Sequence, residues 1–315
     1  MLDRAHGRVS NRPHMWAITC YFNPACYQTR LRNYRIFRSN LTPPLLTVEL
    51  SYNADFELRP ADADILVQVR GEDILWQKER LLNIGLQHIP DDCDSIAWLD
   101  CDVIFERTDW YELACKALQR FPLIQLFRVR RNLTRDAVTT GLDISRTDSS
   151  TVSMGYRIAH HRVVADDLRI PGASTTGIAW AARAEVLREH GLYDACVLGS
   201  GDRALVCAAV GEFHHAVDGL QMTARQAEHY LRWARPFSGA VRGLVGSIDG
   251  RVFHLWHGDL KDRRYVERFQ GFRWFEFDPF VDIARDENGI WRWNTNKRDM
   301  HDYIQHYFHV RNEDG

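Results

Sequence analysis

Two aspartates one residue apart, Asp100 and Asp102, stand directly behind the apolar run Ser95–Leu99 (SIAWL). Carboxylates spaced this way at a strand end can hold a hard divalent cation whose other positions stay open to water and substrate phosphates. The competing reading is a pair of loop aspartates, and the strongly apolar run in front of them favours chemistry. A second constellation, His254-Leu255-Trp256-His257-Gly258, closes the run Val252–Leu255. On an extended strand, residues three apart face opposite sides. Both imidazoles can therefore share an ion only if Trp256–Gly258 turns, which Gly258 permits. A set mixing imidazole with carboxylate favours Mn2+ over Mg2+. The third feature is Gly199-Ser200-Gly201-Asp202. Its glycines allow a ligand close approach to the backbone, and Asp202 heads the apolar run Ala204–Val210. There it is either a helix N-cap or a proton acceptor whose basicity the helix dipole lowers. The pairs His160-His161 and His214-His215 read as surface residues.

These groups need elements to position them. Trp16–Phe22, Leu45–Leu50, Ile65–Val69, Ser95–Leu99 and Leu123–Val129 are short apolar runs rich in β-branched and aromatic residues, hence strands. Between them, Gln28–Leu41 and Ile74–Leu86 carry apolar residues at helical spacing, and Asp109 with Glu112 predicts a capping box for a helix through Gln119. Strands alternating with helices predict a mainly parallel sheet covered on both faces. Ligands of such sheets sit beyond the carboxyl ends of the strands, which is where Asp100 and Asp102 fall. Asn132–Ser153, rich in Thr, Ser, Asp and Arg, reads as a long loop, and loops of that length are commonly lids. Arg128, Arg130 and Arg131 at its base are candidates for phosphate contact. Regular structure resumes at Gly177–Leu192. A buried helix at Ala204–Val210, a helix near Thr223–Ala234 and a hairpin around Asp249-Gly250 follow. Aromatic-rich loops then lead to a last helix with Met300, Tyr303, Ile304, Tyr307 and Phe308 on one face.

Of the 315 residues, 45% are hydrophobic and 26% charged, enough for a sizeable core, which excludes a disordered or collagen-like chain. A net charge of −2 leaves no electrostatic footprint for nucleic acid or acidic membranes. The basic residues are nearly all Arg, with Lys only at 78, 116, 261 and 297. No apolar run approaches the roughly 20 residues of a membrane span. The polar, Arg-rich residues 1–14 have no apolar signal core and read as a flexible tail before one domain over 15–315. Within it, residues 15–130 and 131–315 read as two halves. Seven cysteines without a Cys-x-x-Cys pair argue against a disulfide framework or zinc knuckle, and for a cytoplasmic protein.

The order of these segments resembles that of GT-A-fold glycosyltransferases, metal-dependent enzymes that use nucleotide-sugar donors, and in particular the family-2-like transferases and β-1,4-galactosyltransferases. The resemblance runs from Ile18-Thr19-Cys20-Tyr21-Phe22-Asn23 to about Lys261. Lys78-Glu79-Arg80-Leu81-Leu82-Asn83-Ile84-Gly85 is similar to the galactosyltransferase helix before the metal strand, and Trp98-Leu99-Asp100-Cys101-Asp102 to the Asp-x-Asp segment itself. Gly177-Ile178-Ala179-Trp180, Gly191-Leu192-Tyr193-Asp194 and Gly201-Asp202 follow the acceptor-side pattern of family-2-like enzymes. His254–His257 falls where galactosyltransferases place a late metal ligand. The resemblance implies a GT-A, Rossmann-like sheet with an α/aromatic extension after it, with the nucleotide-sugar-binding half over 15–130 and the acceptor side over 131–315. It further implies a UDP-sugar donor, a glycan or other hydroxyl acceptor, Mn2+ (or Mg2+), and inversion at the anomeric carbon. By the same resemblance Thr19, Glu49, Arg80, Asn83, Asp100 and Cys101 line the nucleotide-sugar pocket, and Trp180 and Gly201 lie by the sugars. Asp102 with His254 or His257 holds the metal, and Asp202 is the general base. Two departures stand out: Gly-Ser-Gly-Asp replaces the usual Gly-Glu-Asp, and His254 occupies a position where galactosyltransferases tend to carry Met.

Two other readings use the same residues. A haloacid-dehalogenase-type phosphatase would use Asp100 as nucleophile and Asp102 as acid/base. Such enzymes need another Asp four residues beyond their Gly-Asp, and Arg203, Ala204, Leu205 and Val206 follow here instead. A non-catalytic sugar-binding relative would use Trp256, Trp274, Trp291 and Trp293 as stacking platforms.

Overall fold

The computed structural model describes residues 15–52, 55–160, 168 and 174–315. The segment 1–14, read above as a tail, and His161 lie outside the described residues. In chain order the first elements are β1 (Met15–Phe22), α1 (Gln28–Ser39), β2 (Leu45–Ser51), β3 (Ile65–Arg70), α2 (Lys78–Leu86), β4 (Ser95–Leu99), β5 (Val103–Phe105) and α3 (Trp110–Leu118). Then follow β6 (Leu123–Gln125), β7 (Val129–Leu133), α4 (Asp136–Thr139), β8 (Thr147–Val152), α5 (Met154–Ala159), β9 (Ala179–Arg183), α6 (Ala184–His190) and α7 (Gly201–Val210). The remainder is α8 (Phe213–Gly219), α9 (Ala224–Val241), β10 (Val245–Ser247), β11 (Arg251–His254), α10 (Glu267–Phe272), β12 (Ile283–Arg285), β13 (Trp291–Trp293) and α11 (Arg298–Val310).

The architecture is α/β, as expected. Seven strands in the order β10-β6-β9-β4-β1-β2-β3 form a sheet that is parallel except for β9, which runs against both β4 and β6. Alternate residues of the central strands feed two cores. Ile18, Leu46, Val48, Ile96 and Trp98 join the side that holds α2, α6 and α7. Ala17, Leu45, Ala97 and Leu99 join Phe37 of α1 and Trp110 and Ala114 of α3 on the other. Burial on both faces is why these strands read as unbroken apolar runs. Behind β4, Trp98 and Trp180 stack with ring centroids 6.4 Å apart, an arrangement worth about 0.5–1.5 kcal/mol beyond the area it buries.

A second sheet, β5-β11-β7-β8, stands beside the first and corrects two expectations. Asn132–Ser153 is not a lid loop: β7 and β8 pair antiparallel across it, with the short α4 between them. β8 has one neighbour and no buried residue, so its polar composition is that of an edge strand. Asp249-Gly250 does not close a hairpin either. β10 pairs with β6 in the main sheet while β11 crosses to β5 and β7 in the second. The Asp109 capping box is absent as well, because the Asp109 carboxylate is held by Arg107 at 2.6 and 2.8 Å and caps nothing. Helix α2 begins at Lys78 rather than Ile74. Tertiary bonds pin the residues before it, Trp76 N–H to the Val197 carbonyl and the Gln77 amide to the Trp291 backbone. Among the described residues, no helix is long and apolar enough to cross a membrane, and none of the seven cysteines is disulfide-bonded.

Candidate active site

β4 delivers Asp100 and Asp102 at its carboxyl end, and the backbone there is tied down on both sides. Asp100 N–H donates to the Ile178 carbonyl at 2.8 Å, and Leu255 N–H donates to the Asp102 carbonyl at 2.8 Å. The second bond anchors the end of β11 directly against Asp102. On an extended strand residues two apart would share a face, but the chain turns at Cys101–Asp102 and the two carboxylates enter different neighbourhoods.

Asp102 faces the two histidines. Trp256–Gly258 does turn, with Gly258 at φ +89° and the Arg311 and Asn312 carbonyls 2.8 Å from where a Cβ would stand, so the turn and its packing both require glycine. His257 Nε2 is 3.1 Å from Asp102 Oδ2 and 3.0 Å from His254 Nε2, and His254 Nε2 is 3.5 Å from Asp102 Oδ1. Adjacent ligands of an octahedral ion held at about 2.1 Å lie about 3 Å apart, so the three side chains fit a shared divalent ion. Two further observations support that fit. Asp102 Oδ1 is buried and accepts no hydrogen bond. Burial drives both imidazoles toward the neutral form that binds metal, with His257 held down at about 3, Arg263 adding to the effect, and His254 well below its ordinary value. Burial, then repulsion from Asp100, pushes Asp102 up to about 7.

Behind His257 lies a buried carboxylate. Glu313 Oε1 is 3.7 Å from His257 Nδ1, and Glu313 is clamped by Arg30 at 2.7 and 3.0 Å and by Arg311 at 2.6 Å. A metal-bound histidine keeps its other ring N–H for such a group. Arg263 Nη2 also reaches His257, donating to its carbonyl at 2.6 Å and lying 2.6 Å from Nδ1. The segment 311–315 is fastened at a second point, where the Asp314 carboxylate accepts from Gln28 and Thr29 N–H at 3.1 and 2.8 Å. It thereby caps α1, whose own N-cap, Tyr27, has no capping side chain.

Asp100 faces the other way. Lys78 Nζ, at the start of α2, lies 2.6 Å from Asp100 Oδ1 and 2.8 Å from Asp202 Oδ2. Burial opposes the Lys78 charge, but the two carboxylates outweigh it and the ammonium is held well above its ordinary range. Burial raises Asp202 against the pull of Lys78. Asp202 is the second residue of α7, not its cap. Ser200 holds the N-cap position, at φ +69° and without a side-chain cap bond. Gly177 makes room for the carboxylate, since a Cβ there would stand 2.6 Å from Asp202 Oδ2. Glu79 lies against Gly201, where a Cβ would clash with it. Its Oε1 is buried without a partner, and burial pushes the carboxyl up to about 8.

A cavity of about 660 Å³ opens at the ends of β1 and β2, lined by Tyr21, Asn23, Tyr27, Arg32, Arg35 and Glu49 among others. It is one strand over from Asp100, and Cys101 packs among Tyr21, Tyr34 and Leu58 at its inner edge. Glu49 also accepts from Glu57 and Leu58 N–H at 2.6 and 3.1 Å, shaping the wall opposite α1. Thr19 is fully buried and ties β1 to β4 through the Leu99 carbonyl at 2.6 Å. Arg80 and Asn83 do not line the cavity. Both bind Asp194, at 2.9 and 3.0 Å, and hold the loop after α6. Trp180 is wholly buried behind the site and donates to the Thr176 carbonyl at 2.8 Å, so it supports the site without facing it. His215 is buried rather than at the surface, and it groups with Glu212 and exposed His214.

No motif or spacing in the sequence marks Lys78, Glu79, Arg263, Arg268 or Glu313 for a role. Lys78 had a signal, as one of four lysines in a chain that otherwise uses arginine.

No family model matches the chain, and no curated protein matches it in sequence. Solved structures similar to it include S. aureus TarS 1–349, at 12% identity over 60% of this chain and 53% of that one, with a TM-score of 0.34. The chain thus matches about half the length of that TarS segment and about a third of TarS itself. A mycobacterial protein is similar at 14% identity over 89% and 83%, TM-score 0.39. Glucosyl-3-phosphoglycerate synthase from Mycobacterium tuberculosis, solved with Mn2+, UDP-glucose and phosphoglyceric acid, is similar at 12% over 90% and 87%, TM-score 0.40.

Proposed function

We propose that this chain is a metal-dependent glycosyltransferase that moves a sugar from a nucleotide-sugar donor, UDP-linked, to an acceptor hydroxyl with inversion. One observation carries the reading: a single strand end holds Asp102 against two neutral imidazoles and Asp100 against a Lys78–Asp202 pair. Asp102, His254 and His257 would hold Mn2+, and the chemistry supplied when it is bound is neutralisation of the departing diphosphate. The cavity beside β1 and β2 suits the nucleoside, within the usual size of small-molecule pockets. Asp202 takes the proton of the acceptor hydroxyl as its oxygen bonds the anomeric carbon and the bond from that carbon to the diphosphate breaks. Lys78 opposes the effect of burial on Asp202 and so favours the ionised, proton-accepting form. On this reading residues 15–130 carry the donor side, while 131–315 bring the late metal ligands and the base.

The deciding experiment measures Mn2+-dependent binding and slow hydrolysis across UDP-, GDP- and CMP-sugars. UDP-sugars should be bound and hydrolysed, and chelator should abolish both. Failure of every nucleotide to bind with Mn2+ present overturns the reading.

A further inference from the structure

Arg263, Arg268 and Arg311 are 7, 5 and 4% exposed. Guanidinium groups stay charged in proteins, and a buried charge needs a partner of opposite sign. Among the described residues, the one carboxylate within 4 Å of any of the three is Glu313, which Arg311 shares with Arg30. Arg268 spends its donors on neutral oxygens: the Ser200 hydroxyl at 2.6 Å, the Tyr307 phenol, and the Arg263 carbonyl at 3.4 Å. The Nε atoms of Arg263 and Arg268 are buried with no acceptor. Arg30 and Arg311 share that one carboxylate, while Arg263 and Arg268 have none, which leaves three positive charges over. Around them, a divalent ion on Asp102 would leave one positive charge, and Lys78 between Asp100 and Asp202 leaves one negative. These cancel. Arg130, which acts on Asp102 and His254, adds one more positive charge, so the two charges of a bound diphosphate still leave the loaded site short of an anion.

We propose that the acceptor supplies it: the hydroxyl compound carries a phosphate or carboxylate group, which seats on the Ser200 side of Asp202 through Arg268. The inference rests on the glycosyltransferase reading and names its acceptor class. The placement follows from the Ser200–Asp202 turn, which is gripped by a cation at each end, Arg268 on Ser200 Oγ and Lys78 on Asp202 Oδ2. Ser200 is only partly buried. Its oxygen accepts from Arg268, so its own proton is available to an incoming anion two residues from the base. Half-exposed Tyr265 covers the outer side, with the Arg268 guanidinium 5.3 Å from its ring centroid.

The test loads the protein with UDP and Mn2+, which blocks the diphosphate site, and titrates glycerol 3-phosphate, glycerate and glycerol by calorimetry. Either or both anions should bind and glycerol should not, and anion affinity should fall as salt is raised. Which anion binds more tightly separates a phosphate from a carboxylate acceptor. Arg268→Met should weaken anion binding by at least about tenfold and leave UDP–Mn2+ affinity unchanged. If the buried methionine disturbs folding, Arg268→Lys and Ser200→Ala carry the same comparison, both with weakened anion binding. UDP–Mn2+ binding without anion binding, or anion binding indifferent to all these variants, overturns the acceptor proposal alone. Failure of UDP–Mn2+ to bind wild type overturns both.

Discussion

The two sides of the β4 end differ in how they treat charge. On the Asp102 side the protein supplies imidazoles that burial keeps neutral, one carboxylate oxygen with no donor, and no close cation on that oxygen. On the Asp100 side it supplies a cation already in place, Lys78, bridging two carboxylates at 2.6 and 2.8 Å. The first arrangement is that of a candidate cation site, and the second already holds its cation. An Asp-x-Asp segment is therefore not one site with two equivalent ligands. The middle residue, Cys101, sends its neighbours to opposite tasks.

That contrast can be broken at several points. The largest effect is expected of Asp102→Asn: by calorimetry, Mn2+ should cease to raise UDP affinity, so that wild type with chelator and the variant with Mn2+ match. Asp202→Asn comes next. Because Asp202 is not the cap of α7, its melting temperature should stay within a few degrees of wild type, while kcat falls by about 10²–10⁴ at unchanged UDP affinity. A variant with full transfer activity would return Asp202 to a structural partner of Lys78. Glu313→Gln should weaken Mn2+ affinity by about 10–100-fold, read by competition with a metal-binding dye. Removal of a mere packing residue would lower stability and leave the affinity of the folded fraction intact. The smallest effect concerns pH. Glu79 titrates at about 8 in the fold against 4.5 as its ordinary value, so the folded chain holds a proton that the unfolded chain has released. The stability from this group is full below pH 4.5 and is lost as pH rises through 8. Glu79→Gln should flatten that limb in denaturant titrations from pH 5 to 9, and an unchanged slope would show that Glu79 ionises normally.

Much of the frame was legible because it rests on local patterns. Ser95–Leu99 is a strand with the predicted bounds, α1 and α11 follow the periodic apolar residues, and the late histidines needed only the glycine turn that Gly258 provides. What was not legible depended on partners far away in sequence. Lys78 meets Asp202 across 124 residues, and no spacing rule reports that. β8 has no buried residue, so the alternation that marks a half-buried strand is missing. Asp202 opens an apolar helix as a cap would, yet the left-handed Ser200 takes the cap position. The buried arginines were masked by abundance, since a chain with so many arginines gives no sign of which ones go inside.

The fastening of residues 311–315 has a consequence for the order of assembly. Arg30 and Glu313 are 283 residues apart, and Thr29 and Asp314 are 285 apart. Contacts this distant close late, after the local strands and helices have formed. A nascent chain made only as far as residue 310 can pair β1, β2 and β4 and present Asp102 with both histidines. It still lacks the carboxylate behind His257 and the cap on α1. On the proposed reading, tight metal binding at Asp102 would then wait for this distant strap to dock, and a chain cut before residue 311 would hold the ion only loosely.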